Sequence, residues 1–586
     1  MSHFHGVCQF GYEKDVKRFL KDESFDINEQ EEDSKTPFYL ACEHGHTSIV
    51  KLLLKDDRIE PNLPNDEGWT PFYCACLDEN IEMVELLLSD KRIDINEENC
   101  KGTTPLNKAC KKGNIEIVRL LLKNKRIDVN KANDKGHTPL YSAYENEHTE
   151  IVKLLLNDKR TDINKVESEF GSTPFKIACE IGDTEIVKLL LNDERIDLNP
   201  ENNAGWTPFW IACENGQSEV VELLLKDGRV DFNEKDDKED KTPFHIACEE
   251  GHIEVIKLLL NDERVDVNEG DEYGQTAFWN ACENGDVAVV KLLSSSKRID
   301  INKTNDDDET PFYIVCRDGE VSILKLLLKE KRIDVNTKYE DRTPSWIACS
   351  EGHIKIVKLL LNDDRVNLNE VNEDGKTPFY TACENGHLEI VKVLLNNERV
   401  NPNHEDNRYQ TPFYIACKGG HTDIVKLLLS DKKVDINRTN ERDQTPFYIA
   451  CKNGHLETVK LLLSNDRVYF FTTNEVVPTP LNVACRKGHI EIVKLLLANK
   501  EVDFHSKNKY GEPAIKIARR MEGYEKMHLK TKNYRDILEI LESFERNPDE
   551  TRTKLRMQLR STDGDAASIY WTIVLLSDHY LVFKKN

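Results

Sequence analysis

The residues of this 586-residue chain with the most chemistry in them are its sixteen cysteines and seventeen histidines, and their spacing limits what that chemistry can be. Fourteen cysteines fall at one recurring place: 8, 42, 76, 110, 179, 213, 248, 282, 316, 349, 383, 417, 451 and 485. Tyr144 fills the place once, and only Cys74 and Cys100 lie outside it. Equivalent atoms of stacked helices sit about 8–10 Å apart, whereas a disulfide needs Cα atoms within about 7 Å. The cysteines therefore cannot cross-link one another and read as small buried apolar groups. So many free thiols suit a reducing compartment. The histidines at 46, 252, 353, 387, 421, 455 and 489 each follow a glycine, and His148 follows Glu147. One imidazole at a fixed slot in each copy reads as a turn-stabilising hydrogen bond, not a metal ligand. Arginines recur at 58, 92, 126, 160, 195, 229, 264, 298, 332, 365, 399 and 467, usually two residues before Asp or Asn. They read as exposed ion pairs with acidic neighbours, worth about 0–1 kcal/mol each and serving cohesion. No phosphate-binding glycine loop, Cys-x-x-Cys pair or nucleophile-elbow serine is present. Neither catalysis nor a cofactor or metal is expected.

All these slots are held by one unit of mostly 34 residues. Its threonine recurs at 36, 70, 104, 138, 173, 207, 242, 276, 310, 343, 377, 411, 445 and 479, followed by proline everywhere except at Ala277. Thr-Pro starts a helix, with the hydroxyl as N-cap and proline where no N–H is needed. Gly-His, as at Gly420-His421, stops that helix in the left-handed conformation. A second helix follows, and its Ile424, Val425, Leu427, Leu428 and Leu429 are too apolar for one unit to bury alone. Each unit therefore needs neighbours, and the chain is a stacked array.

The unit resembles the ankyrin repeat. The Thr-Pro-x-x-x-Ala opening, the Gly-His turn, the Ile-Val-x-Leu-Leu-Leu helix and the Val-Asp-x-Asn arm all match, over roughly residues 3 to 545. The resemblance implies an all-α solenoid of about sixteen helix-turn-helix repeats with β-turn arms. It also implies protein binding through the turn tips and the exposed side of the first helices. Some members carry hydroxylated arm asparagines, which would make Asn268 and Asn336 modification sites. One departure is systematic: this chain writes Asn-Asp-Glu-Arg-Val-Asp, as at 261–266, where the family closes the second helix with glycine. The helix exit should be reshaped in every copy.

Along the chain, residues 1–35 read as an N-terminal capping repeat, with Lys17-Arg18 interrupting its helix. Residues 36–510 are the regular repeats and 511–545 a degenerate last one, with a long turn over 521–532. Residues 546–586 read as a small helical cap over it, or as a docking module. Leu292-Leu293-Ser294-Ser295-Ser296 is a candidate soft point in one second helix. The net charge is −25 and the pI about 5.3, which argues against nucleic acid and anionic membranes as partners. With no signal peptide before His3 and no apolar run long enough for a membrane, a cytoplasmic monomer is expected.

Function then means gripping a protein. Trp69 and Trp206 stand just before the Thr, where the repeat does not demand tryptophan, and tryptophan makes a good interface anchor. Three residues after the Thr runs an aromatic series that includes Trp210, Trp279, Trp346, Tyr380 and Tyr414, either a structural ladder or a contact surface. Tyr469, Phe470 and Phe471 replace the usual Asp-x-Asn arm, as a partner site or an arm packed inward. After the cysteine stand Glu145, Glu180, Glu214, Glu249 and Glu283, then Lys418, Lys452 and Arg486-Lys487. These suggest a groove acidic in its middle and basic towards its C-terminal end, for an extended partner with a basic segment. The leading expectation is a non-catalytic scaffold or adaptor. The alternative is the substrate receptor of a modifying complex such as a ubiquitin ligase, with 546–586 as its docking module.

Overall fold

The computed structural model describes residues 3–166, 171–470, 478–508, 510–528 and 533–562. Among them are thirty-three α-helices, one 3-10 turn and no strand; isolated bridges such as Gly270 with Thr276 close single turns. The chain falls into two compact units, Met1–Ala281 with Ser295–Ile299, and Cys282–Ser294 with Asp300–Asn586.

First helices start as the sequence predicts. Thr377 is extended, its hydroxyl accepts from the Tyr380 N–H at 3.2 Å, and Pro378 opens helix Pro378–Asn385. Gly386 stops it at φ 81°. A Cβ on Gly386 would stand 2.8 Å from the His421 ring of the next repeat, so glycine is needed for space as well as for conformation. Gly386→Ala is expected to destabilise by about 2 kcal/mol, through left-handed strain and a displaced imidazole. Faster amide exchange over Pro378–Leu395 and Thr422–Ser430 would show it, and unchanged exchange would refute it. The second helix Leu388–Leu395 buries Ile390, Val391, Leu394 and Leu395 against its neighbours.

How the second helices end without glycine is explained by the arginines. Arg92 Nη2 donates to the Leu54 carbonyl at 2.6 Å, Arg160 to Leu122 at 2.8 Å and Arg229 to Leu191 at 2.8 Å. In the second unit Arg365 reaches Leu328 at 2.9 Å and Arg467 reaches Leu429 at 3.1 Å. Each guanidinium satisfies carbonyls that a helix end leaves orphaned, and it sets a positive charge where the macrodipole favours one. The acid two residues earlier holds the fork in place: Arg92 Nη2 lies 2.7 Å from Asp90 Oδ2, and the pairing keeps the Asp90 carboxyl below its ordinary range. The expected pairing along a face is thus corrected. Where an acid stands two residues earlier it lies in the same repeat, and Asn or Ser holds that place in other copies, as Asn465 does before Arg467. The cohesion comes from carbonyls of the repeat before.

Arm asparagines tie the next arm. Asn62 Nδ2 donates to the Arg92 carbonyl at 2.8 Å while its Oδ1 accepts from the Asp94 N–H at 2.8 Å. Asn336 does the same with Arg365 and Asn367, both at 2.8 Å. A carboxamide matched this way on both atoms acts as a two-point clamp between repeats.

At the N-terminus helix Glu13–Phe19 runs unbroken through Lys17-Arg18, with Lys17 2.6 Å from Glu13 on the same face. At the other end helix Ala514–His528 occupies most of the expected turn, because this stretch lacks the Gly-His stop. Helix Val287–Ser295 is intact through its serines, Ser294 Oγ donating to the Lys291 carbonyl at 3.2 Å. Helix Pro548–Thr562 lies against Ile490–Ala498 and Asn533–Arg546, burying Leu555 and Leu559. Among the described residues no helix is long and apolar enough to cross a membrane.

Candidate partner-binding surface

Burial separates the aromatic candidates. Trp210, Trp279 and Trp346 are buried, as are Tyr380 and Tyr414, so none presents a face to a partner. They form the structural ladder: Trp210 Nε1 donates to the Lys241 carbonyl at 3.2 Å, and the Tyr380 hydroxyl to Asp406 Oδ2 at 2.9 Å. Trp206 is half-buried and stacked on Trp210 at 4.7 Å with planes 5° apart, and Lys176 and Lys238 stand 5.6 and 5.3 Å from its ring. Trp69 stacks on Tyr73 at 5.7 Å. Both tryptophans spend one face on packing within the repeat. Phe470 turns inward onto Phe447 at 5.1 Å, while Tyr469 is 66% exposed. Phe471 lies outside the described residues.

All sixteen cysteines are free and only Cys100 is exposed. Burial pushes the Cys8 thiol up to about 12 and the Cys74 thiol up to about 11, the reverse of what a nucleophile or metal ligand needs. The turn histidines bond between repeats, not within the turn. His252 Nε2 donates to the Glu214 carbonyl at 2.8 Å, His421 to Glu384 at 2.8 Å and His455 to Lys418 at 2.8 Å. Gln217 does the same to Glu180 at 2.9 Å, and the Tyr534 hydroxyl to Arg486 at 2.9 Å. His5, Glu29 and Glu31 bring three potential ligand atoms within 4.8 Å, but His5 Nε2 is engaged by the Glu29 carbonyl at 2.8 Å.

The charged slot holds two crowded patches, one in each unit. In the first, burial raises the Glu214 carboxyl above its ordinary range, and the neighbouring charges of Glu250 and Glu180 add to it. Glu249 is neutralised by Lys241 at 2.7 Å. In the second unit Glu283 faces Arg317 at 3.9 Å. There too, burial and then Lys487, Arg486, Arg442 and Lys418 lower the Lys452 ammonium. Arg442, at a turn tip, belongs to this patch although its slot did not single it out; only the fold brings it beside Lys452. Like charges held close together are unfavourable in the free chain and are relieved by an opposite charge.

These features define a helical repeat protein whose buried chemistry serves stacking and whose exposed slots vary. The family model "Ankyrin repeats (3 copies)" matches it at residues 4–99, 92–167, 159–236, 229–305, 297–370, 364–440, 398–473 and 433–508, and the chain belongs to that family. Among solved structures it is similar to the ankyrin repeat domain of Bcl-3, described as a unique member of the IkappaB protein family. The identity is 26%, over 39% of this chain and 99% of that one, with a TM-score of 0.35. No curated protein matches the chain.

Proposed function

We propose that this chain is a non-catalytic scaffold, in which the first unit grips a basic stretch of a partner protein and the second an acidic one. The observation that carries the reading is the Glu214 carboxyl, raised by burial and then by the charges of Glu250 and Glu180 against a smaller opposing effect of Lys176, and in no ion pair among the described residues. Ankyrin repeats generally mediate protein–protein contact, which supports the class of function. Lys452 with its four cationic neighbours supports the second half.

The test uses the full chain and a fluorescein-labelled decapeptide of alternating lysine and alanine. Joint reversal Glu180→Lys, Glu214→Lys and Glu250→Lys is expected to weaken binding about tenfold or more at low salt, since desolvated charge pairs each contribute more than a kilocalorie. The difference should shrink at high salt, where screening lengths fall to about 3 Å. Unchanged anisotropy titrations would discard the acidic face as a site.

A further inference from the structure

One turn departs from the repeat at three matched positions, and together the departures make a cavity. At eight other turns a glycine is covered by the histidine of the next repeat, as Gly386 is by His421, while Asn80, Gln217 and Glu320 take that place over Gly45, Gly182 and Gly285. Here Glu147 stands where the glycine would be, with φ 59°, and Asp183 stands where the next histidine would be. An aspartate is too short to fill the space of an imidazole and instead caps its own helix, Oδ1 accepting from the Glu185 and Ile186 N–H groups at 3.1 Å. Beneath lies Tyr144, the one place where the cysteine slot holds another residue. The result is a cleft of about 260 Å³ within the first unit, lined by Tyr144, Glu147, His148, Val152, Ile181 and Asp183.

Its lining has a definite chemistry. Tyr144 is only 5% exposed, and its hydroxyl has no hydrogen-bond partner. Leaving such a group unmatched is costly unless a ligand supplies the bond. Among the described residues neither Glu147 nor Asp183 forms an ion pair. Burial and the nearby Asp183 charge hold the phenol far above its ordinary range, so it stays protonated. Val152 is buried beside it, and Ile181 is 53% exposed at the mouth. A lining that offers two carboxylates and a phenol oxygen together with the aliphatic Val152 and Ile181 complements an alkyl stem that carries a cation.

We infer that this cleft receives the side chain of a lysine from a bound partner peptide, its ammonium between Glu147, Asp183 and the Tyr144 hydroxyl. A peptide is favoured over a free amine because the chain carrying the lysine would cover Ile181 and run on past the exposed Glu145 and Glu180. The inference deepens the basic-segment reading and rests on it.

Saturation-transfer NMR on the full chain tests it, with Nα-acetyl-lysine N-methylamide as probe. Its norleucine counterpart and n-pentylammonium serve as comparisons. The lysine probe should give a saturable signal on its side-chain methylenes and the norleucine probe none. The signal should fall roughly fivefold or more in Tyr144→Cys and Asp183→Asn, as expected for loss of charge-assisted hydrogen bonds. Tyr144→Cys puts in the residue of the other repeats, and Asp183→Asn keeps a side chain able to cap the helix, so a loss of signal in both variants is read at the site and not as unfolding. Equal signals from lysine and norleucine probes, or an undiminished one in Tyr144→Cys, would overturn the site. A signal from n-pentylammonium alone would assign the cleft to a free amine and overturn the peptide. The Glu180, Glu214 and Glu250 reversals leave the cleft intact. If lysine-probe binding survives in them and the decapeptide still binds as before, the acidic face fails and the cleft stands.

Discussion

Removing residues 547–586 is expected to loosen the C-terminal end of the second unit by about 3–5 kcal/mol, with the loss concentrated in helices Ile490–Ala498 and Asn533–Arg546. Leu555 and Leu559 are 3% and 4% exposed against those helices, and burying one leucine is worth about 1.5–3 kcal/mol. The polar contacts repeat the logic of the array. Helix Ile490–Ala498 has no following repeat of the regular pattern to supply an arginine. Arg552 Nε donates to the Leu497 carbonyl at 3.3 Å and Arg556 Nε to Ala498 at 3.0 Å in its place. Arg552 also lies 5.1 Å from the Phe544 ring. Hydrogen exchange on the full and shortened chains separates the two readings of this segment. A cap leaves both helices exchanging faster when it is lost. A docking module leaves them unchanged, and that result would remove the cap.

Arg298→Ala is expected to cost about 2–3 kcal/mol, in the range measured for hydrogen bonds to charged groups. Its Nη1 donates to the carbonyls of Leu259 at 3.3 Å, Leu260 at 2.8 Å and Asp262 at 2.7 Å, and its Nη2 to that of Val265. Arg298→Lys keeps the charge at the helix end, worth about 0.3–1 kcal/mol, but lacks the planar fork that spans several carbonyls. It should recover less than half of the loss. Arg442→Ala, whose one ion pair is with Glu441 at 3.5 Å, should stay within about 0.5 kcal/mol of the parent. Exchange of the Ile253–Asn261 amides reports the two Arg298 variants, and exchange of the Leu456–Leu463 amides reports Arg442→Ala. Equal effects of Arg298→Ala and Arg442→Ala would mean that the guanidinium is decoration.

Much of this was legible in the chain because it rests on properties local to a residue. Thr before Pro starts a helix, and glycine accepts a positive φ, whatever surrounds them. Cysteine in the company of Ala and Ile is buried. What was not legible is where long side chains go. Arg92 meets its main partner 38 residues upstream, so spacing suggested an acidic neighbour and missed the carbonyl. The aromatic slot was equally ambiguous: Trp210 and Trp206 are four residues apart and of one type, and only packing tells which is interior. Over 521–532 length alone suggested a turn, although without Gly-His the helix continues as far as His528. Tyr144 and Glu147 were visible as exceptions, but their meaning depends on Asp183 lying across from them.

The helix-end arginines and the turn histidines reach backwards along the chain. As the nascent chain grows, a second helix therefore waits with open carbonyls until the residue some 36–39 positions later has been made. The array has a polarity, and shortening it from its two ends is not equivalent. Loss of leading copies strands a few long cations that water readily accepts, whereas loss of trailing copies uncaps a helix.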